Sequence, residues 1–125
     1  MITLQNVTKT YKNSTVALRD ADVEIAKGEF VFLVGPSGSG KSTFIRLLNK
    51  EETPEEGHIY VAGKDIGQLS GWKVPFLRRN IGCVFQDFKL LPNKTVFENV
   101  AFALGVIGRP RSVVQTQVPA ILDLV

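Results

Sequence analysis

The stretch Phe30-Val31-Phe32-Leu33-Val34-Gly35-Pro36-Ser37-Gly38-Ser39-Gly40-Lys41-Ser42-Thr43-Phe44-Ile45-Arg46-Leu47-Leu48 decides the fold. Its first five residues are continuously apolar and either β-branched, aromatic or leucine, the pattern of a strand buried on both faces of a parallel sheet. Three glycines follow within the next six positions. From Ser42 to Asn49 the apolar residues Phe44, Ile45, Leu47 and Leu48 fall on one helical stripe. Buried strand, glycine-rich loop and amphipathic helix, in that order, predict an α/β domain.

The loop itself, Gly35 to Ser42, fits G-x-x-x-x-G-K-[ST], and the strand before it and helix after it are the context this pattern requires. Gly35, Gly38 and Gly40 open backbone geometries closed to other residues and let the chain approach a ligand closely. Successive N–H groups from Gly38 to Thr43 are expected to converge as an anion nest, to which the helix adds its positive end. Lys41 supplies a point charge for the β- and γ-phosphates, and the Ser42 hydroxyl is a hard oxygen ligand suited to Mg²⁺. Thr43 is placed to reach the α-phosphate. With Pro36, Ser37 and Ser39 these residues form a Walker A loop, and the expected ligand is ATP with Mg²⁺.

Outward from the loop, Ile2 to Tyr11 and Val16 to Ile25 alternate with one irregularity each and read as strands of an antiparallel unit. Lys27-Gly28-Glu29 is a turn signal. Gly57 to Val61 reads as another short strand. Pro75 limits any helix between Leu69 and Asn80 to its later part. Ile81-Gly82-Cys83-Val84-Phe85 is a second apolar segment expected to form a buried parallel strand, with Cys83 as a buried small hydrophobe. Thr95 to Ile107 reads as a helix capped by Thr95 with Glu98 three residues on. Ser112 opens a last amphipathic segment, expected to be interrupted at Pro119. That segment ends apolar at Ile121-Leu122-Asp123-Leu124-Val125 without a terminal glycine or polar tail, which suggests a chain that has been cut. The expected organisation is an antiparallel unit over residues 1–27, a phosphate-loop core over 28–86, and the start of a helical subdomain over 87–125.

The balance of 44% hydrophobic and 22% charged residues is that of an ordinary globular domain. No apolar run reaches the roughly 18 residues of a membrane-spanning helix, and the N-terminus does not read as a secretory signal. The single cysteine excludes an intrachain disulfide and fits a reducing compartment. The net charge of +3 is scattered; Lys73 with Arg78-Arg79, and Arg109 with Arg111, read as solvated surface, not as a nucleic-acid stripe. The acidic run Glu51, Glu52, Glu55, Glu56, around Pro54 and Gly57, reads as a solvated loop. His58 and Trp72 read as a surface and a packing residue.

Three further residues bear on ligand chemistry. Gln86 ends the second apolar run, and ligands of open parallel sheets sit beyond the carboxyl ends of strands. It is either a Mg²⁺ ligand or water-orienting group, or a hydrogen-bonded loop amide. Asp87, at the end of the same run, superficially resembles a Walker B aspartate, but the run stops at Gln86 and no glutamate follows. Tyr11 is an aromatic at the end of an early strand, able to stack on adenine or simply to pack.

Thr8-Lys9-Thr10-Tyr11, the loop Gly35 to Thr43, and Val84-Phe85-Gln86-Asp87 together resemble the N-terminal half of an ABC-type ATPase. The segments Lys27 to Leu33, Val74 to Leu91 and Thr95 to Ala101 are similar to the bacterial cell-division branch of that family. The resemblance implies that Tyr11 stacks on adenine, that Val16 packs beside the base, and that Gln86 is the Q-loop glutamine sensing γ-phosphate and Mg²⁺, with Asp87 only its neighbour. It implies a homodimer of the intact subunit, a transmembrane partner of the FtsX type, and a place on the inner, cytoplasmic face of the plasma membrane. The family also carries an LSGGQ-like signature, a Walker B Asp-Glu pair and a switch histidine. None is found in residues 1–125, so no residue is assigned a catalytic role and this chain alone is expected not to hydrolyse ATP. The rival readings are the ATPase of another ABC transporter, importer or lipid exporter; a truncated nucleotide-binding module that does not hydrolyse; and a small nucleotide kinase, disfavoured because residues 1–34 precede the loop.

Overall fold

Alternation at Ile2, Leu4 and Val7 and at Val23 and Ile25 builds a hairpin of β1 (Ile2–Thr10) and β2 (Val16–Ile25). Its register pairs Ile2 with Ile25 and Leu4 with Val23, then shifts between Leu4 and Val7, where the sequence alternation also breaks. The turn closes through the Tyr11 N–H donating to the Thr15 carbonyl at 2.9 Å and the Ser14 N–H donating to the Tyr11 carbonyl at 2.8 Å. β3 (Glu56–Val61) joins the other edge of β1 antiparallel, with Leu4 opposite Ile59, and β4 (Lys64–Asp65) completes the order β2-β1-β3-β4. Gly57 sits at φ 85°, where a Cβ would run into the carbonyls of Gln5 and Asn6, so only glycine lets β3 start this close to β1.

The helix expected after the loop is α1 (Lys41–Leu48). Its Phe44, Leu47 and Leu48 cover the sheet face formed by Leu4, Val7 and Ile59, and Ile66 closes the cluster. Leu47 is fully buried, so its truncation to alanine removes about 3 kcal/mol of folding free energy. Ile45, the fourth residue of the predicted stripe, is exposed. Pro75 lies in the first turn of the short α2 (Val74–Arg78), where its missing N–H costs no bond.

The computed structural model describes all residues, Met1–Val125, as two units, Met1–Ile81 and Gly82–Val125. The second unit holds α3 (Val96–Val106) and α4 (Arg111–Leu124), which pack together with Val118 fully buried. No helix is long and apolar enough to cross a membrane.

Several expectations are corrected. Neither Phe30–Val34 nor Ile81–Phe85 joins a strand ladder. A parallel strand borrows its hydrogen bonds and its cover from neighbours on both sides, and the sheet of this chain is antiparallel throughout. Phe30, Phe32 and Val34 therefore stay 82%, 79% and 83% exposed, with the two rings packed edge to face at 5.0 Å. Cys83, in the second of these segments, is exposed, not buried. Trp72 is an exposed ring set against Phe76 and Lys73, not a core anchor. α4 runs through Pro119 without interruption; proline removes one donor, and the helix turns on either side, packed against α3, hold the segment.

Candidate functional site

α1 begins without a cap of its own. Its N-cap residue is Gly40, which has no side chain to cap with, and its first turn contains no acidic residue. The first helical amide bond is Phe44 N–H to the Gly40 carbonyl at 2.9 Å, so the amides of Lys41, Ser42 and Thr43 precede the intrahelical ladder. Gly38 and Gly40 have φ of 80° and 89°, in the left-handed region. A Cβ on Gly40 would strike the Ala17 carbonyl of β2, so glycine is what lets the loop lie against that strand. The Ser39 amide turns back to the Pro36 carbonyl at 3.3 Å. The Lys41 ammonium donates to the carbonyls of Gly35 at 2.7 Å and Pro36 at 2.6 Å, and lies 3.2 Å from Ser39 Oγ. Loop carbonyls hold that charge over the loop, where phosphate oxygens would take their place as stronger, charged acceptors.

A cleft of about 380 Å³ opens here, lined by Tyr11, Thr15, Ala17 and residues 37–43. The Tyr11 hydroxyl lies 3.1 Å from Thr43 Oγ1, tying the end of β1 to the first turn of α1. Val16, flanked by two lining residues, is 42% exposed and does not itself line the cleft. Ser42 is exposed at the head of the helix. The donor set fits a polyphosphate with its magnesium: amides without helical acceptors, one ammonium, one hard hydroxyl, and no carboxylate in the helix's first turn to repel it.

Beneath Tyr11 lies a network absent from the sequence reading. Lys9 is 8% exposed and donates to Glu55 Oε1 and the Thr53 carbonyl, both at 2.9 Å, with Glu52 at 3.6 Å. Glu55 Oε2 accepts the Thr10 N–H at 2.7 Å. The hydrogen bond to Glu55 raises the Lys9 ammonium above its ordinary range despite burial. The Thr10 amide, then Lys9, hold the Glu55 carboxyl below its own. The acidic run is thus not wholly a solvated loop. The signal was present: Lys9 stands two residues after buried Val7, on the inward face of β1, and a buried lysine requires a carboxylate.

Arg78 is exposed, as expected of surface, but it also has a structural role. It donates Nε to the Asn49 carbonyl at 2.9 Å and Nη2 to the Lys50 carbonyl at 3.1 Å, capping the C-terminal end of α1 with a positive charge. His58, on β3, pairs with Asp65 at 2.9 Å.

Residues 18–125 match the ABC transporter family. The chain belongs to that family. Across its whole length it is 57% identical to the cell division ATP-binding protein FtsE of Mycobacterium tuberculosis and 54% identical to that of Bacillus subtilis, covering 55% of each. It therefore spans about half the length of the curated relatives it matches. Among solved structures it is similar to the ATP-binding cassette MJ0796, a dimer in a post-hydrolysis state bound to ADP and Pi. The TM-score is 0.87 at 36% identity, over 98% of this chain and 56% of that one. The chain is an N-terminal part of an ABC-type P-loop NTPase.

Gln86 lies in the second unit, exposed, in a turn where the Phe88 N–H donates to the Phe85 carbonyl at 3.3 Å. Asp87 beside it is ion-paired with Lys89, which holds its carboxyl below the ordinary range.

Proposed function

We propose that this chain binds Mg-ATP in the cleft between Tyr11 and the loop 35–43. In the intact protein, binding and hydrolysis of ATP drive a transmembrane partner of the FtsX type in bacterial cell division. The observation that carries the nucleotide reading is the uncapped head of α1, with Lys41 folded over Gly35 and Pro36. Gly35 to Gly40 shape the loop, its amides and Lys41 hold the phosphates, and Thr43 reaches the α-phosphate. Ser42 ligates Mg²⁺, and Gln86 takes the part of the Q-loop glutamine that the family resemblance implies. Magnesium, when bound, neutralises phosphate charge. Tyr11 stacks on the adenine and Val16 packs beside it. The intact subunit works as a homodimer on the cytoplasmic face of the plasma membrane.

The cell-division role rests on the similarity to the two FtsE proteins; a role in another ABC transporter is the alternative. Calorimetric titration of the chain with ATP in Mg²⁺ tests the first part, and no measurable binding refutes it. Co-purification of the intact protein with an FtsX-type membrane protein tests the second, and capture of an importer or exporter membrane subunit instead would overturn it.

A further inference from the structure

Tyr11 is held from three sides. Its hydroxyl meets Thr43 Oγ1 at 3.1 Å. The Lys9 ammonium stands over its ring, 5.6 Å from the centroid. Its preceding amide, Thr10 N–H, is fixed by Glu55 Oε2 at 2.7 Å. Glu55 serves both of the last two: one carboxylate oxygen takes the Thr10 amide and the other takes Lys9. The Glu55 N–H also donates to the Thr8 carbonyl at 3.0 Å, so the segment after α1 is zipped to the end of β1. Lys9 is nearly buried and its ammonium is held by Glu55 and the Thr53 carbonyl, so it stands against the Tyr11 ring in one fixed place.

From this geometry we infer that Glu55 and Lys9 are positioning residues for the base: they fix the Tyr11 ring in the pose that stacks on adenine, and so set the affinity for the nucleoside part of ATP and not for its phosphates. The phosphate loop has its own supports, the Ala17 carbonyl packed against Gly40 and the Arg78 cap at the far end of α1, which Glu55 and Lys9 do not touch. A rigid ring binds more tightly than one that must be ordered on binding, because the ordering cost is already met in the free protein. The inference rests on the stacking role proposed for Tyr11.

The test compares two probes on the full chain: Mg-ATP, which has the base, and Mg-tripolyphosphate, which lacks it. The variants are Glu55→Gln, the pair Lys9→Met with Glu55→Gln, and Tyr11→Ala. Removing Lys9 and Glu55 together leaves no unpaired buried charge. Glu55→Gln alone keeps an acceptor for the Thr10 amide and carries the test if the pair does not fold. We expect ATP affinity to fall about tenfold in the pair and less in Glu55→Gln, with tripolyphosphate affinity unchanged. A merely structural role would weaken both probes together, and that result, or an unchanged ratio in a folded variant, overturns the inference. Tyr11→Ala separates the two failures. If it leaves the ratio unchanged, the stacking reading itself is wrong. If it lowers the ratio while the other variants do not, stacking stands and only the role of Glu55 and Lys9 is lost.

Discussion

Two helices of this molecule begin in opposite ways. α3 is closed by a capping box: the Glu98 amide donates to Thr95 Oγ1 at 3.2 Å, and the Thr95 amide donates to Glu98 Oε2 at 2.8 Å. α1 has glycine at the same position, no capping side chain and no acid in its first turn. Every helix starts with amides that lack a helical acceptor. Where the protein supplies the acceptor, as in α3, that end is finished and serves only stability. Where it withholds one and adds a lysine, as in α1, the end is open to the anion proposed above. An open head is not a site by itself, since α4 also starts without a side-chain cap or a first-turn acid; at α1 it is the glycine loop and Lys41 beside it that support the proposed binding role.

Breaking the open end should have the largest effect. Lys41→Ala removes the one side-chain cation of the loop, and we expect Mg-ATP affinity to fall roughly a hundredfold, the loss of about two charge-assisted hydrogen bonds. The unfolding midpoint should hardly move, because Lys41 bonds only to its own exposed loop. Titration calorimetry beside thermal unfolding checks both. Unchanged affinity would remove the phosphate site from this loop.

Next in size is Gly40→Ala. The new Cβ meets the Ala17 carbonyl and the residue must hold φ 89°, which together cost about 2 kcal/mol or more. Here stability and ATP affinity should fall together, since the collision displaces the loop from β2. A normal melting curve would mean that the close approach of loop and strand does not hold in solution. At the closed end, Thr95→Ala should cost about 1 kcal/mol of α3 stability and leave ATP binding as it was. A loss of ATP affinity in that variant would erase the contrast between the two termini.

The elements built from local signals were legible in the sequence. The capping box at Thr95 and Glu98, the β1–β2 hairpin with its break after Leu4, and the step from the glycine loop into α1 depend on residues close in the chain. The segments that failed depend on distant neighbours. Phe30–Val34 has the composition of a buried strand, but its partners are not among the strands of this antiparallel sheet. Arg78 reads as one more surface arginine until the fold brings the end of α1 beneath it. The Tyr11–Thr43 contact joins positions that only packing can place together. Lys9 is intermediate: its spacing from Val7 on β1 is a local signal for an inward side chain, but its pairing with Glu55, from a run that reads as a solvated loop, needed the fold.

The smallest effect is a titration that one terminus should show and the other should lack. The Thr95 amide, then the Thr95 side chain and Lys94, hold the Glu98 carboxyl below its ordinary value of 4.5. A depressed carboxyl stabilises the folded helix when ionised. Its contribution is therefore complete above that ordinary value and is lost as pH falls through the lower, folded one. The Thr95 and Glu98 amide resonances should shift over this acidic range, and α3 should fray there at its first turn. Glu98→Gln should abolish the titration while keeping most of the helix, because the amide oxygen still reaches back to Thr95. The first turn of α1 carries no carboxyl of its own, so the Lys41 and Ser42 amides should move less over the same range. Equal shifts at both heads would show that the acid transition is a general loosening of the chain and not the opening of one cap. Shifts confined to α3 would locate the self-supplied anion at that end and leave the head of α1 as the one that waits for a phosphate.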